Sequence, residues 1–198
     1  MFQSVELKIL YFGTPVVLIT TLNEDGSANI APMSSAWALG QSVLLGLGKD
    51  GKTYENMRER HECVLNFPTD NLFRAVEKLA TLTGKFPIPP DKAAKYRYEK
   101  DKFGTARLTP MPSAVVKPPR ICECPLHFEA IVKNDYPIGN DGDDVVAVEV
   151  QVVHVHAHED ILHDTSHISP SRWRPLIYNF RHYFGLGTEL GKTFKSET

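Results

Sequence analysis

The sequence predicts a mainly β fold, an antiparallel, barrel-like sheet with helical decorations, on three observations. Runs rich in β-branched and aliphatic residues recur at 16–22, 42–47, 63–67, 126–132 and 145–156, the composition of half-buried strands. Gly, Pro, Asn and Asp, the residues that turn a chain, stand at the ends of most of these runs. The stretches of helical period between them are short and irregularly placed, which argues against a regular alternation of strand and helix.

Taken in order, Val16–Leu22 runs into Asn23-Glu24-Asp25-Gly26, whose Asp-Gly supplies the positive φ of a hairpin turn. The return strand is expected over Ser27–Ala31, stopped by Pro32, which has no N–H for a ladder. Met33–Leu39 reads as a polar-aromatic connection, Ser42–Leu47 as a third strand, and Gly48-Lys49-Asp50-Gly51 as a loop. Thr53 is placed to cap a helix over Tyr54–Arg60. Cys63–Phe67 is a fourth strand, ended by Pro68. Asp70 or Asn71 is expected to cap a second helix, in which Leu72, Val76, Leu79 and Ala80 form one apolar stripe. Pro87–Pro90 breaks the chain, and the charge density of Asp91–Lys102 predicts a solvated helix. Pro110, Pro112, Pro118 and Pro119 dictate an extended loop between Gly104 and Arg120. Leu126, Phe128, Ala130 and Val132 then alternate with His127, Glu129 and Ile131, a half-buried strand. Asp135–Asp144 is an acidic turn that lacks the ligand spacing and distal Glu of an EF-hand, and Val145–His156 is the longest strand.

The 198 residues are expected to form one domain, 1–198, with a core that needs neither disulfides nor structural metal. A formal net charge of −2, from 22 Lys+Arg and 24 Asp+Glu, provides no large single-sign field to hold nucleic acid or an anionic membrane. Cys63, Cys122 and Cys124 are too few and odd in number for a disulfide framework, and read as reduced thiols of a cytoplasmic protein. The apolar run at 9–22 is broken by Gly13-Thr14-Pro15 and lacks a basic leader, so it reads as neither a signal peptide nor a membrane span.

Three segments could carry chemistry. In Asn29-Ile30-Ala31-Pro32-Met33-Ser34-Ser35-Ala36-Trp37, small and hydroxyl side chains past a strand end would let a flat ligand approach the backbone. Gly48-Lys49-Asp50-Gly51-Lys52-Thr53 opens onto a helix N-terminus and suits a phosphate, although it is not a Walker loop. His154, His156 and His158 recur at the spacing of one strand face, where neighbouring imidazoles can chelate a metal. The same face continues from Val146, Val148, Val150 and Val152, so the histidines equally mark the strand leaving the core. A hydrolase is disfavoured, because no Gly-x-Ser-x-Gly elbow or comparable nucleophile signature is present.

Four stretches, FGTPVVLITTLNEDGSANIAPMSSAW, KDGKTYENMRERHECVLNFP, DKFGTARLTPMPSAVVKPPRICECPLHFEAIV and RWRPLIYNFRHYFGLG, follow one another in family order. In them the chain resembles the flavin reductase-like family of FMN-binding split-barrel proteins, near flavoredoxin and the reductase components of two-component monooxygenases. The resemblance implies a split β-barrel homodimer with one FMN per subunit near the dimer interface. It matches Asn29, Ala31, Pro32, Ser34 and Ser35 to the segment around the isoalloxazine and ribityl chain, and Lys49, Lys52, Thr53 and Asn56 to the phosphate-holding stretch. Arg181 and Tyr183 match the family's aromatic-rich end. The implied chemistry is hydride transfer from NAD(P)H to the flavin, for which the cofactor carries the reaction and no side-chain acid–base pair is required. Reduced flavin or electrons would then pass to a monooxygenase or another acceptor. His156, where many relatives carry a histidine, is the one catalytic side chain the resemblance suggests. Val150-Gln151 stands where many members have Gly-Glu, so the match is fuller for FMN binding than for nicotinamide use. The alternative is an FMN-binding electron-transfer or sensing protein without efficient NAD(P)H oxidation.

Overall fold

A computed structural model describes residues 1–140 and 142–197, so Asp141 of the acidic turn lies outside the described residues. The chain opens with β1 (Phe12–Pro15) and β2 (Val17–Leu22), then turns at Gly26, which takes a φ of +80°, into β3 (Ala28–Met33). Pro32 does not stop this strand but stands opposite Leu18 within it. As β3 is an end strand of its sheet, the N–H that proline lacks is not missed there. The presumed connection after Met33 contains a further strand, β4 (Ala36–Leu39), paired with β5 (Ser42–Gly48) across a turn at Gly40.

Helix α1 (Lys52–Arg60) begins at Gly51 with no side-chain cap. Thr53 lies inside its first turn, and its hydroxyl accepts from Asn29 at 3.0 Å instead of capping the helix. After β6 (Glu62–Phe67), a 3-10 turn leads into α2 (Phe73–Ala80), again without a side-chain cap. Asp70 pairs with Arg174 and Asn71 accepts from Thr69, so neither expected cap is available. The charged run from Asp91 is not a helix: its turns lead to β8 (Arg97–Tyr98), which lies parallel to β7 (Leu82–Thr83). A helix begins only where the charged run ends, as α3 (Lys102–Ala106), where Asp101 accepts from the Gly104 N–H at 2.9 Å. Lys102 is buried rather than solvated. Short strands β9 (Pro110–Met111) and β10 (Arg120–Ile121) bracket the proline-rich loop. Long strands β11 (Leu126–Pro137) and β12 (Val145–Ala157) follow, and β13 (Ile177–Asn179) and β14 (His182–Phe184) end the fold beside β1.

The main sheet has seven antiparallel strands in the order β3-β2-β6-β11-β12-β5-β4. Val17, Ile19, Val43, Leu45, Leu65, Ala130, Val148 and Val150 pack into one core, so the sheet curls around a single apolar interior. Its end strands β3 and β4 are consecutive in the chain, joined only by Ser34-Ser35, yet no ladder closes between them, and the barrel is open at that seam. β2 is buried on both faces, because Leu18 alternates with Val17 and Ile19 into a second core beneath α2 and α3, with Ile30, Val76, Leu79, Phe103 and Ile121.

The longest strand contains a bulge that period-two reading misses. Glu129 stands opposite His154 but Ala130 opposite Val152, so Val153 is an extra residue, and beyond it the side chains exchange faces. Val146, Val148 and Val150 point into the core, whereas His154 and His156 stand with Glu129 and His127 on the opposite face. The histidines are therefore not a continuation of the valine face. Fully buried Glu129 accepts from the Ala114, Val115 and Val116 N–H groups at 2.7, 2.7 and 3.0 Å, and from His156 Nε2 at 2.6 Å. The three backbone donors staple the proline-rich loop to the sheet, and His156 braces the carboxylate from β12.

Candidate functional site

Strand β3 forms one wall of a groove whose central cleft measures about 260 Å³. Asn29, Ala31 and Pro32 come from β3, Gly51, Lys52, Thr53 and Tyr54 from the start of α1, Leu79 and Ala80 from α2, Gly84 from the β7 exit, and Lys102 from α3. The short side chains of Ala31 and Pro32 leave backbone within reach of a ligand. Gly84 is required by crowding: a Cβ there would stand 2.5 Å from Asn29 Oδ1 and 3.3 Å from Lys52 Cγ.

The electrostatics centre on Lys102. Its side chain is only 3% exposed, and its ammonium donates to Asn29 Oδ1 at 2.8 Å and to the Ile30 carbonyl at 2.9 Å. Burial lowers its pKa from 10.5 to about 8, with Glu99 pulling slightly the other way. Buried Asn29 passes the contact on, donating from Nδ2 to Thr53 Oγ1 at 3.0 Å. The uncapped first turn of α1 opens into the same space, and its leading N–H groups have no intrahelical acceptor. Lys52, by contrast, is neutralised by Glu24 and Glu55, each at 2.6 Å, and Lys92 by Asp50 at 2.5 Å.

Toward Ser34 the groove becomes aromatic, lined by Tyr11, Tyr96, Tyr178 and Tyr183. Tyr178 lies 5.5 Å from Tyr11 and 5.6 Å from Tyr183, ring centre to ring centre. The Tyr183 hydroxyl donates to Glu77 at 2.9 Å. Burial, reinforced by that carboxylate, pushes its phenol well above the ordinary range.

Of the residues singled out in the sequence, Asn29, Ala31, Pro32, Lys52 and Thr53 meet in the central cleft, and Ser34 and Tyr183 line its aromatic end. Ser35 lies at the barrel seam, its carbonyl accepting from the Gly46 N–H at 2.7 Å. Asn56 is buried and donates to Thr21 Oγ1 and Asn23 Oδ1, both at 3.0 Å, anchoring the hairpin turn. Lys49 donates to the Asp143 carbonyl at 3.3 Å, outside the cleft. Arg181 sits in the β13–β14 turn at a φ of 68°, and His156 is bound to Glu129 on the sheet face. Neither lines the groove. Nor do Val150, buried in the core, and Gln151, which donates to the Gln41 carbonyl at 3.1 Å.

Sequence reading missed Lys102, Gly84, Tyr96 and Tyr178. A signal for Lys102 existed: Asp101 is a good helix cap, and Lys102 shares a helical face with Ala106 four residues on. The charged run before it hid that signal.

His154 and His156 meet edge to face, with ring centres 4.5 Å apart. Among the described residues, the one group whose ligand atoms converge is Glu24, Glu55 and Glu59, carboxylates already met by Lys52, Lys85 and Arg60. No helix among the described residues is long and apolar enough to cross a membrane.

Residues 9–187 match the family model described as flavin reductase like domain. Uncharacterized protein YdfE of Bacillus subtilis (strain 168) is 50% identical over 198 residues, covering 100% of this chain and 95% of that protein. Among solved structures, flavoredoxin of Desulfovibrio vulgaris (Miyazaki F) superposes with a TM-score of 0.82 at 22% identity, covering 100% of both chains. Nitrilotriacetate monooxygenase component B from Bacillus cereus gives 0.75 at 21% identity, covering 91% of this chain and 88% of that one. Flavoredoxin from Methanosarcina acetivorans gives 0.76 at 16% identity, covering 99% and 97%.

Proposed function

The chain belongs to the flavin reductase-like domain family, and from that premise we propose that it binds FMN in the groove along β3 and transfers hydride from NAD(P)H to it. The observation that carries this reading is the convergence, in one cleft, of an uncapped helix N-terminus, the Thr53 hydroxyl and a buried ammonium without a carboxylate partner, beside a small-residue wall and a tyrosine-lined end. The first three suit an anionic tail and the rest a flat ring. The donor set therefore fits a flavin mononucleotide.

When bound, the flavin supplies the hydride-accepting and electron-delivering chemistry. The protein's part is to bind and orient. Lys102, Asn29 and Thr53 form a connected chain of hydrogen bonds that presents positive charge and donors to the anionic end. Ala31 and Pro32 permit close approach of a ring to the β3 backbone, while Tyr178 and Tyr183 wall the far end against water. In this reading none of these groups has to move a proton.

The exposed Trp37 and Leu39 on β4, an end strand of the sheet, support assembly as a homodimer. The free Cys63, Cys122 and Cys124 suit a reducing cytoplasm. The electrons would serve a monooxygenase or another acceptor. The test is the visible spectrum of the protein with FMN, followed by anaerobic NADH and then NADPH. Bleaching of the oxidised-flavin bands well above the protein-free rate is the expected result. Bound flavin that neither nucleotide reduces would favour the electron-transfer or sensing reading, and no bound flavin would overturn both.

A further inference from the structure

The hairpin of β13 and β14 turns through Phe180 and Arg181 alone, since Asn179 stands opposite His182. Both turn residues have positive φ, 44° at Phe180 and 68° at Arg181, a backbone for which Asn-Gly is the favoured pair. Two bulky side chains held in the left-handed region store strain, so the fold gives up stability to place them there. The place is the rim of the groove's aromatic end. The Phe180 N–H donates to the Tyr11 carbonyl at 2.6 Å, and Tyr178 and Tyr183, a cross-strand pair of the same hairpin, line the groove with Tyr11.

The Arg181 side chain is exposed and meets no carboxylate among the described residues. Burial raises the pKa of the Tyr178 phenol, and the nearby Arg181 charge pulls it the other way. Glu77, the carboxylate on this rim, is engaged by the Tyr183 hydroxyl at 2.9 Å. Arg74 lies over the Phe73 ring at 5.5 Å, and Phe73 stands 6.4 Å from Tyr183, so a second guanidinium is one ring away. In the reading above, the anionic tail of the flavin lies at the opposite end of the groove. A cation at the aromatic end then serves a different anion. The molecule that must come to the flavin ring there is the hydride donor, whose two nucleosides are joined by a diphosphate.

We propose that Arg181 captures the diphosphate of the reduced nicotinamide dinucleotide, which makes the β13–β14 turn the donor-recognition element of the groove. This rests on the flavin reading and deepens it by giving the second substrate a cation of its own. A guanidinium suits that group because its planar fork pairs with phosphate oxygens two at a time.

The experiment compares the native chain, Arg181→Gln, and the double change Phe180→Asn with Arg181→Gly. FMN affinity is read by fluorescence titration. On the FMN-loaded proteins, calorimetry reads the binding of tetrahydro-NADH, which cannot give up a hydride. Steady-state rates are taken with NADH and with N-benzyl-dihydronicotinamide, a donor that carries no anion. Arg181→Gln should bind FMN within twofold of native and tetrahydro-NADH at least tenfold more weakly. Its KM for NADH should rise by a similar factor with kcat within twofold, and its rate with the benzyl donor should change less than twofold. The double change should lose the same donor affinity while its melting temperature rises, because the turn strain is gone. Native affinity for tetrahydro-NADH in either variant, or an equal loss with the benzyl donor, overturns the inference and leaves the flavin reading in place. A tenfold loss of FMN affinity in Arg181→Gln also overturns it, by placing the guanidinium on the flavin. A native chain that binds FMN but not tetrahydro-NADH overturns the inference alone, and one that binds no FMN overturns both.

Discussion

Replacing Glu129 by Gln tests whether the proline-rich loop is held electrostatically. The carboxylate is fully buried on β11 and receives three loop N–H groups and the His156 ring. Burial by itself would raise its pKa, but the donors from Ala114, His156, Val115 and Val116 outweigh it and hold the group at about 2 against an ordinary 4.5. At about 1.36 kcal/mol per pH unit, that depression contributes on the order of 3 kcal/mol of stability. Because the folded-state value is the lower one, the contribution is complete above the unfolded pKa and is lost as pH falls from about 4.5 toward 2. Gln keeps the shape and one acceptor but not the charge, so Glu129→Gln should cost roughly 2–3 kcal/mol at pH 7. The melting temperature should fall by about 2–4 °C for each kcal/mol. Urea unfolding of both proteins at pH 7, 4.5 and 3, at one protein concentration, measures the difference, which should shrink as the pH drops. Amide exchange at Ala114, Val115 and Val116 should accelerate in the variant ahead of the sheet. A loss below about 0.5 kcal/mol, or a difference that does not change with pH, refutes the reasoning.

Three further outcomes follow from the same structure. His127 is buried, and burial holds its imidazole at about 4 rather than 6.5. The unfolded chain therefore takes up that proton first, and the native protein loses stability as pH falls from 6.5 to 4. His127→Gln should flatten that part of the urea-midpoint curve, and an unaltered slope would argue against a buried neutral ring. Gly84→Ala brings a Cβ to 2.5 Å from Asn29 Oδ1; FMN affinity by fluorescence titration should fall at least tenfold while circular dichroism stays native, and native affinity would place the ligand elsewhere. The double change Lys52→Ala and Thr53→Ala should likewise weaken FMN at least tenfold, through loss of the Thr53–Asn29 bond and through the Glu24 and Glu55 carboxylates that Lys52 no longer neutralises; unchanged titration curves would remove these residues from the site.

The strands were legible because burial leaves its period in the side chains: β2, β5 and β12 lie within a residue or two of the runs that announced them. Features that depend on partners were not. Pro32 reads as a terminator until β3 is known to be an end strand. The bulge at Val153 depends on a register with β11 that the β12 sequence does not contain, so His154 and His156 were placed on the wrong face. Half of the groove was visible in Asn29, Ala31, Pro32, Lys52 and Thr53, which are close in sequence. Gly84, Tyr96, Lys102 and Tyr178 come from distant segments brought in by α2, α3 and β13, and no local pattern announces a contact across seventy-odd residues such as that of Lys102 with Asn29. Thr53 has the right chemistry for a cap, but its hydroxyl is claimed by Asn29 on another element.

The joining of β3 to β4 through Ser34 and Ser35 bears on how the protein avoids sticking to itself during folding and storage. An open sheet has two margins, and each invites an unwanted strand. Here both margins belong to one continuous piece of backbone. Along β3, the helices α1, α2 and α3 lie against the strand, while β4 pairs on one side only among the described residues. The open margin of the seven-stranded sheet is thereby the four residues Ala36–Leu39, the strand proposed above to meet a second copy, so assembly would cover the edge that a lone subunit leaves bare.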